Sequence, residues 1–237
     1  MAPALLKRRA ETRLDTPHPT ATEMLARPRI STLEATTDAA AAAKGVHMGK
    51  ILENLYLTLA IGVILAVLVM LEPSYGLAPG ASDRWIGIFQ WLHVFFGITW
   101  IGLLYYFNFV QIPTMPTVPA ELKPGVSKYI APNALFYFRW GALFTVLTGL
   151  ILAWLYDELV PALTLQESAR LIGIGMWLAL IMAANVWAII WPNQQRALGL
   201  VAADDAVKAK SARTAMIASR INTLLSIPML LCMTNYR

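Results

Sequence analysis

WIGIFQWLHVFFGITWIGLLYYFNFV, residues 85–110, runs for 26 positions without one Lys, Arg, Asp or Glu. At 1.5 Å per residue a helix of that length exceeds the ~30 Å hydrocarbon core of a bilayer. Four further apolar runs share its character, at about 51–71, 137–156, 171–192 and 215–234. The last is broken by Arg220, Asn222 and Ser226, and it reads as a spanning helix with polar contacts inside a bundle. The expected fold is therefore an all-α integral membrane protein, a bundle of about five transmembrane helices occupying 49–237.

Composition agrees. The chain has 237 residues, 57% of them hydrophobic and 14% charged, against about 25% charged in soluble domains. Thirteen charges fall in residues 1–50 and seven in 193–220. This distribution excludes a soluble enzyme, a disordered protein and a nucleic-acid binder. The net charge of +5 comes from basic residues flanking apolar spans, not lining one face. A single cysteine, Cys232, excludes a disulfide framework, a Cys-rich metal site and a CxxCH haem attachment.

Residues 1–48 are rich in Ala, Thr, Pro and charge and carry almost no aromatic residues. They read as a disordered tail or as an over-extended gene start, with Met48 opening a shorter chain. The start MAPALLKRRAETRL lacks the apolar stretch of a signal peptide. Orientation follows from the basic residues near the spans. Lys44, Lys50, Lys123, Lys128, Arg139, Arg196, Lys208, Lys210, Arg213 and Arg220 share one side, against Arg84, Arg170 and Arg237 on the other. The N-terminus is expected in the cytoplasm. Prolines 113, 116 and 119 predict a short extended connector after the second span. Gly141, Thr145, Gly149 and Ala153, four apart, predict a smooth face for close helix packing.

Of three histidines, His18, His47 and His93, only His93 lies in a span, ~12 Å from the Arg84 end. An imidazole there points to function. One reading is axial ligation of haem b; the other is a hydrogen bond fastening two helices. No second intramembrane histidine exists, so Met229 is the candidate second ligand, with Met176 and Met233 at comparable depth. That lack also weakens a copper-handling reading, and no metal site is expected. Asn108, Arg139, Asn185, Asn193, Gln194 and Asn222 gather towards the basic end. They are candidates for a polar pocket able to bind a flat molecule, or for interhelical fasteners. Carboxylates are nearly absent from the spans, which disfavours a proton-relay transporter.

Three stretches carry a resemblance: WLHVFFGITWIGLLYYF (91–107), SKYIAPNALFYFRWGALFTVLTGL (127–150), and IMAANVWAIIWPNQQRAL (181–198) followed by SRINTLLSIPMLLCM (219–233). Together they resemble the membrane region of bacterial cytochrome c-linked urate oxidases, also called urate hydroxylases. The resemblance implies a bacterial inner-membrane protein, oxidation of urate to 5-hydroxyisourate, and electron transfer to cytochrome c. His93 stands at a matching histidine. Departures accompany the likeness: Phe136 and Ile221 stand where the family pattern has histidine, and Gly141 where it has an acidic residue. The His-Gly-Gly-Gly segment and a cytochrome c domain after the last helix are missing. Two functions are thus expected. One is a redox-associated membrane subunit bearing haem b, linked to urate and acting with cytochrome c or a larger redox complex. The other is a non-enzymatic scaffold or assembly partner in the lipid bilayer.

Overall fold

The computed structural model describes residues 51–71 and 81–236, all helix, turn or irregular chain with no strand among them. The tail 1–48, with His18 and His47, lies outside the described residues. Two units divide the chain, Met1–Tyr75 and Gly76–Arg237. In the first, helix α1 spans Leu55–Met70, with Asn54 as N-cap, its side chain accepting from the Leu57 amide at 3.2 Å. Its sixteen residues cover about 24 Å, short of a full hydrocarbon core. It is the shorter apolar helix of the chain, not one of the long spans.

The second unit holds four helices long and apolar enough to cross a bilayer: Arg84–Thr114, Lys123–Leu155, Glu167–Ala197 and Asp205–Asn235. The chain is a multi-pass, all-α membrane protein. Along this unit α2 is Ala81–Tyr105, α3 is Ala131–Leu155, α5 is Arg170–Asn185 and α6 is Asp205–Asn235, with the short α4, Leu159–Leu163, in the connection between the second and third spans. Each long helix outruns its apolar stretch, because the polar residues at the basic end continue the helix instead of leaving it. The broken 215–234 run lies wholly inside the 31-residue α6.

Three wide turns interrupt the spans, at Tyr106–Gln111, Val126–Ile130 and Val186–Ile190. Each is followed by a residue and then a proline: Pro113, Pro132 or Pro192. The amides of Ile112, Ala131 and Trp191, just before those prolines, reach back five residues to the carbonyls of Phe107, Val126 and Val186. A proline ring clashes with the carbonyl four residues back, and a turn one residue wider relieves the clash. The connector carrying Pro113, Pro116 and Pro119 corrects the extended expectation. Thr117 bonds back to the Thr114 carbonyl and Leu122 to that of Pro119, so it coils in turns, where the fixed proline φ also fits.

The smooth face of α3 meets α2. Gly141 lies against the Trp100 backbone, Thr145 against Gly97, and Gly149 against His93. Around this seam Trp100, Leu104, Phe107, Leu135, Phe138 and Ala142 form one buried cluster with Met182, Val186, Ile190 and Met229 of the other two spans. The core of the unit is therefore shared by all four long helices.

Candidate functional site

Where α2 crosses α3, the His93 ring occupies the space a side chain on residue 149 would need. A Cβ there would lie 2.7 Å from the ring Cε1 and 2.9 Å from Nδ1. Nδ1 sits 2.9 Å from the Thr145 carbonyl. A carbonyl only accepts, so Nδ1 carries a proton, and in the neutral imidazole Nε2 keeps its lone pair. Thr148 stands 3.5 Å from the same nitrogen, while its hydroxyl donates to the Phe144 carbonyl at 2.6 Å.

That arrangement suits one axial ligand of a haem, since metal-binding histidines hold their other N–H on a carbonyl or carboxylate. It equally suits a helix fastener. The His93/Met229 pair does not fit. Two contacts align α2 with the antiparallel α6: Asn108 with Ser219 and Tyr105 with Ser226. Extending that register leaves Met229 about 7–13 Å short of the His93 level. Met229 packs instead in the cluster with Trp100 and Met182. The reason is local: the small and polar face of α6 turns inward, and Met229 lies on that face with Asn222 and Ser226.

The polar residues of the basic half fasten helices. Asn185 of α5 donates to the Asn222 Oδ1 at 2.7 Å and to the Ala218 carbonyl at 2.9 Å. Asn222, fully buried, donates in turn to the Met182 carbonyl at 3.0 Å. Asn108 donates to the Ser219 hydroxyl at 2.8 Å and to the Leu104 carbonyl at 2.9 Å. Ser226 gives its proton to the Thr223 carbonyl at 2.7 Å, so Tyr105 donates to Ser226 across 3.0 Å. Asn193 turns back on its own helix, donating to the Ile189 carbonyl at 2.8 Å, and Gln194 follows it half-buried. Arg139 stands apart. Its guanidinium lies 3.2 Å from the centre of the Trp191 ring and 6.0 Å from that of Trp187. The six candidates thus fall into separate contacts, not one hydrogen-bonded group. Asn108, Asn185 and Asn222 donate to a carbonyl or hydroxyl of a neighbouring helix and Asn193 to one on its own helix, as a dry interior demands.

Residues 153–236 match the family model described as urate oxidase N-terminal. Neither a curated protein nor a solved structure matches the chain.

The urate oxidase N-terminal-like segment takes in α4, α5 and α6, with Asn185, Asn193, Gln194, Asn222 and Met229. His93, Asn108 and Arg139 precede it. Residue type alone does not single out Tyr105, Thr145, Ser219 or Ser226, which hold the second half of each fastening. A signal for two of them exists. Ser211, Ala215, Ala218, Ser219, Asn222 and Ser226 recur three or four apart on α6, a small-residue seam of the kind membrane helices bury. Thr145 stands on the smooth face of α3, which signals close packing but not the bond to His93, because it contributes a backbone carbonyl.

Proposed function

We propose that this chain is the membrane subunit of a urate-oxidising electron-transfer system in the bacterial inner membrane. Its basic end faces the cytoplasm, and His93 lies towards the opposite surface. The reading rests on the urate oxidase N-terminal match, and the observation carrying its chemistry is the His93–Thr145 hydrogen bond. That bond fixes the proton on Nδ1 and leaves Nε2 as the donor atom for haem b. When bound, such a haem takes up and passes on single electrons. Thr145 orients the ring, Gly149 gives it room, and Phe96 and Phe144 pack across the same helix pair with ring centres 5.0 Å apart. A separate cytochrome c, or a larger redox complex, receives the electrons.

Absorption spectra of purified protein from haem-replete cells, oxidised and dithionite-reduced, test this reading. A Soret band lost in His93→Ala is expected, with urate-dependent cytochrome c reduction by membranes lost in parallel. A haem-free preparation, with no urate-dependent signal when cytochrome c is added, overturns it.

A second reading is a non-enzymatic scaffold or assembly partner. The Asn185, Asn222 and Met182 contacts favour it, since they commit both Asn185 N–H donors and one of Asn222's to tying α5 to α6. On this reading His93→Gln lowers stability and changes no spectrum, and a larger complex co-purifies.

A further inference from the structure

Arg139 is the one charged residue between 134 and 155, the apolar stretch of α3. Its depth can be read from its neighbours. Gly141 meets Trp100, and Trp140 meets Trp187 with ring centres 5.9 Å apart. Arg139 is therefore level with residues near 102 of α2 and 188 in the Val186–Ile190 turn. Those levels lie about 27 Å from Arg84 and from Arg170, and about 24 Å from Leu155. In a ~30 Å core, Arg139 sits just inside the edge nearest the basic end.

Side chains on a helix lean towards its N-terminus, which for α3 is that same end. The stacking partner agrees. The guanidinium lies on Trp191, one turn beyond Trp187 in the direction of the basic end. The side chain thus delivers its charge to head-group level along two tryptophans, residues suited to a membrane interface. The charge meets no carboxylate among the described residues. Nε and Nη1 are enclosed without an acceptor among the described residues, although the side chain as a whole is only half-buried. Nη2 is not among the enclosed atoms and has no acceptor among the described residues, so it is the nitrogen left open to donate to a phosphate oxygen at a charge that is costly to leave unpaired. Lys123, Lys128, Arg196, Lys208, Lys210 and Arg213 lie at the same end and make its field positive.

We infer that Arg139, backed by Trp187 and Trp191, holds the phosphate of an anionic phospholipid in the leaflet at the basic end. The test uses the full chain purified in detergent, with native mass spectrometry of retained lipid after equal exposure to phosphatidylglycerol and phosphatidylcholine. Wild type is expected to retain phosphatidylglycerol preferentially. Arg139→Gln loses at least tenfold of that retention, and Arg139→Lys, which keeps charge but not the planar stack on Trp191, loses severalfold. Circular dichroism and gel filtration verify that the variants fold, and Arg139→Lys carries the test if Arg139→Gln does not. Equal retention of the two lipids, or full retention by a folded variant, overturns the inference. So does equal occupation by millimolar inorganic phosphate with the same Arg139 dependence, which makes the site one for free phosphate. Loss of a co-purifying chain on mutation, with no lipid retained by wild type, gives the site to a partner's carboxylate and also overturns it.

Discussion

Gly149 and His93 form a pair in which neither residue is explained without the other. The ring fills the place of an absent Cβ, 2.7 Å from its Cε1, and is held there by the Thr145 carbonyl at 2.9 Å. Gly149→Ala forces the ring out or the helices apart, at a cost of about 1–3 kcal/mol. Thermal unfolding in detergent is expected at lower temperature, and a His93→Ala background should remove most of the difference. Equal losses in both backgrounds would show that the two positions do not interact. Asn222 gives a second test at this scale. Asn222→Leu leaves Asn185 without its 2.7 Å partner, and about 0.6–2 kcal/mol should be lost. Asn185→Ala combined with Asn222→Leu should cost less than the two singles together. The histidine was legible in the sequence because an intramembrane imidazole is rare. Its hydrogen-bond partner was not, because a backbone carbonyl has no residue type.

At the scale of elements, the apolar runs placed the four long spans, and the polar interruptions of the last run hid its character. Asn222 and Ser226 are fully buried and bonded to neighbouring helices, whereas Arg220 is exposed. A linear hydropathy reading sees these three alike; helix packing separates them. The first run shows the opposite case, since it reads as long enough to cross while α1 holds only sixteen residues, with Asn54 capping its start. The wide turns were legible only in outline, as prolines 113, 132 and 192 inside or beside apolar stretches. They lead to a prediction opposite in sign to helix propensity. Replacing proline by alanine inside a helix ordinarily helps, by up to about 3 kcal/mol. Pro192→Ala instead lets the Val186–Ile190 turn close by one residue and rotates the remainder of that helix by about 100°. That rotation moves Trp191 off Arg139, now 3.2 Å from its ring centre. A fall in melting temperature with altered tryptophan emission is expected; a rise in melting temperature would mean that the turn is merely tolerated strain.

For the molecule as a whole, the four long helices place Arg84 and Asn235, the two ends of the four-span run, on one membrane face and two connections on the other. The connections at 115–122 and 198–204 adjoin Lys123, Lys128, Arg196, Lys208, Lys210 and Arg213, while the opposite end carries Arg84 and Arg170. On the proposed function, this imbalance near span ends puts the basic side in the cytoplasm. Orientation sets which leaflet Arg139 meets and which compartment His93 approaches, so it bears on both proposals. Cys232, the sole cysteine, is buried, which leaves a clean background for labelling. Ala202→Cys in the basic connection and Gln166→Cys at the opposite end are both exposed positions. In intact spheroplasts a membrane-impermeant maleimide should label Gln166→Cys and spare Ala202→Cys, with both labelled after permeabilisation. Changing Lys208, Lys210 and Arg213 together to Gln removes half of the basic residues beside those connections, and some molecules should then invert and label at residue 202. The reverse pattern in the starting protein would put His93 on the cytoplasmic side, away from any cytochrome c outside, and would move the Arg139 lipid site to the outer leaflet.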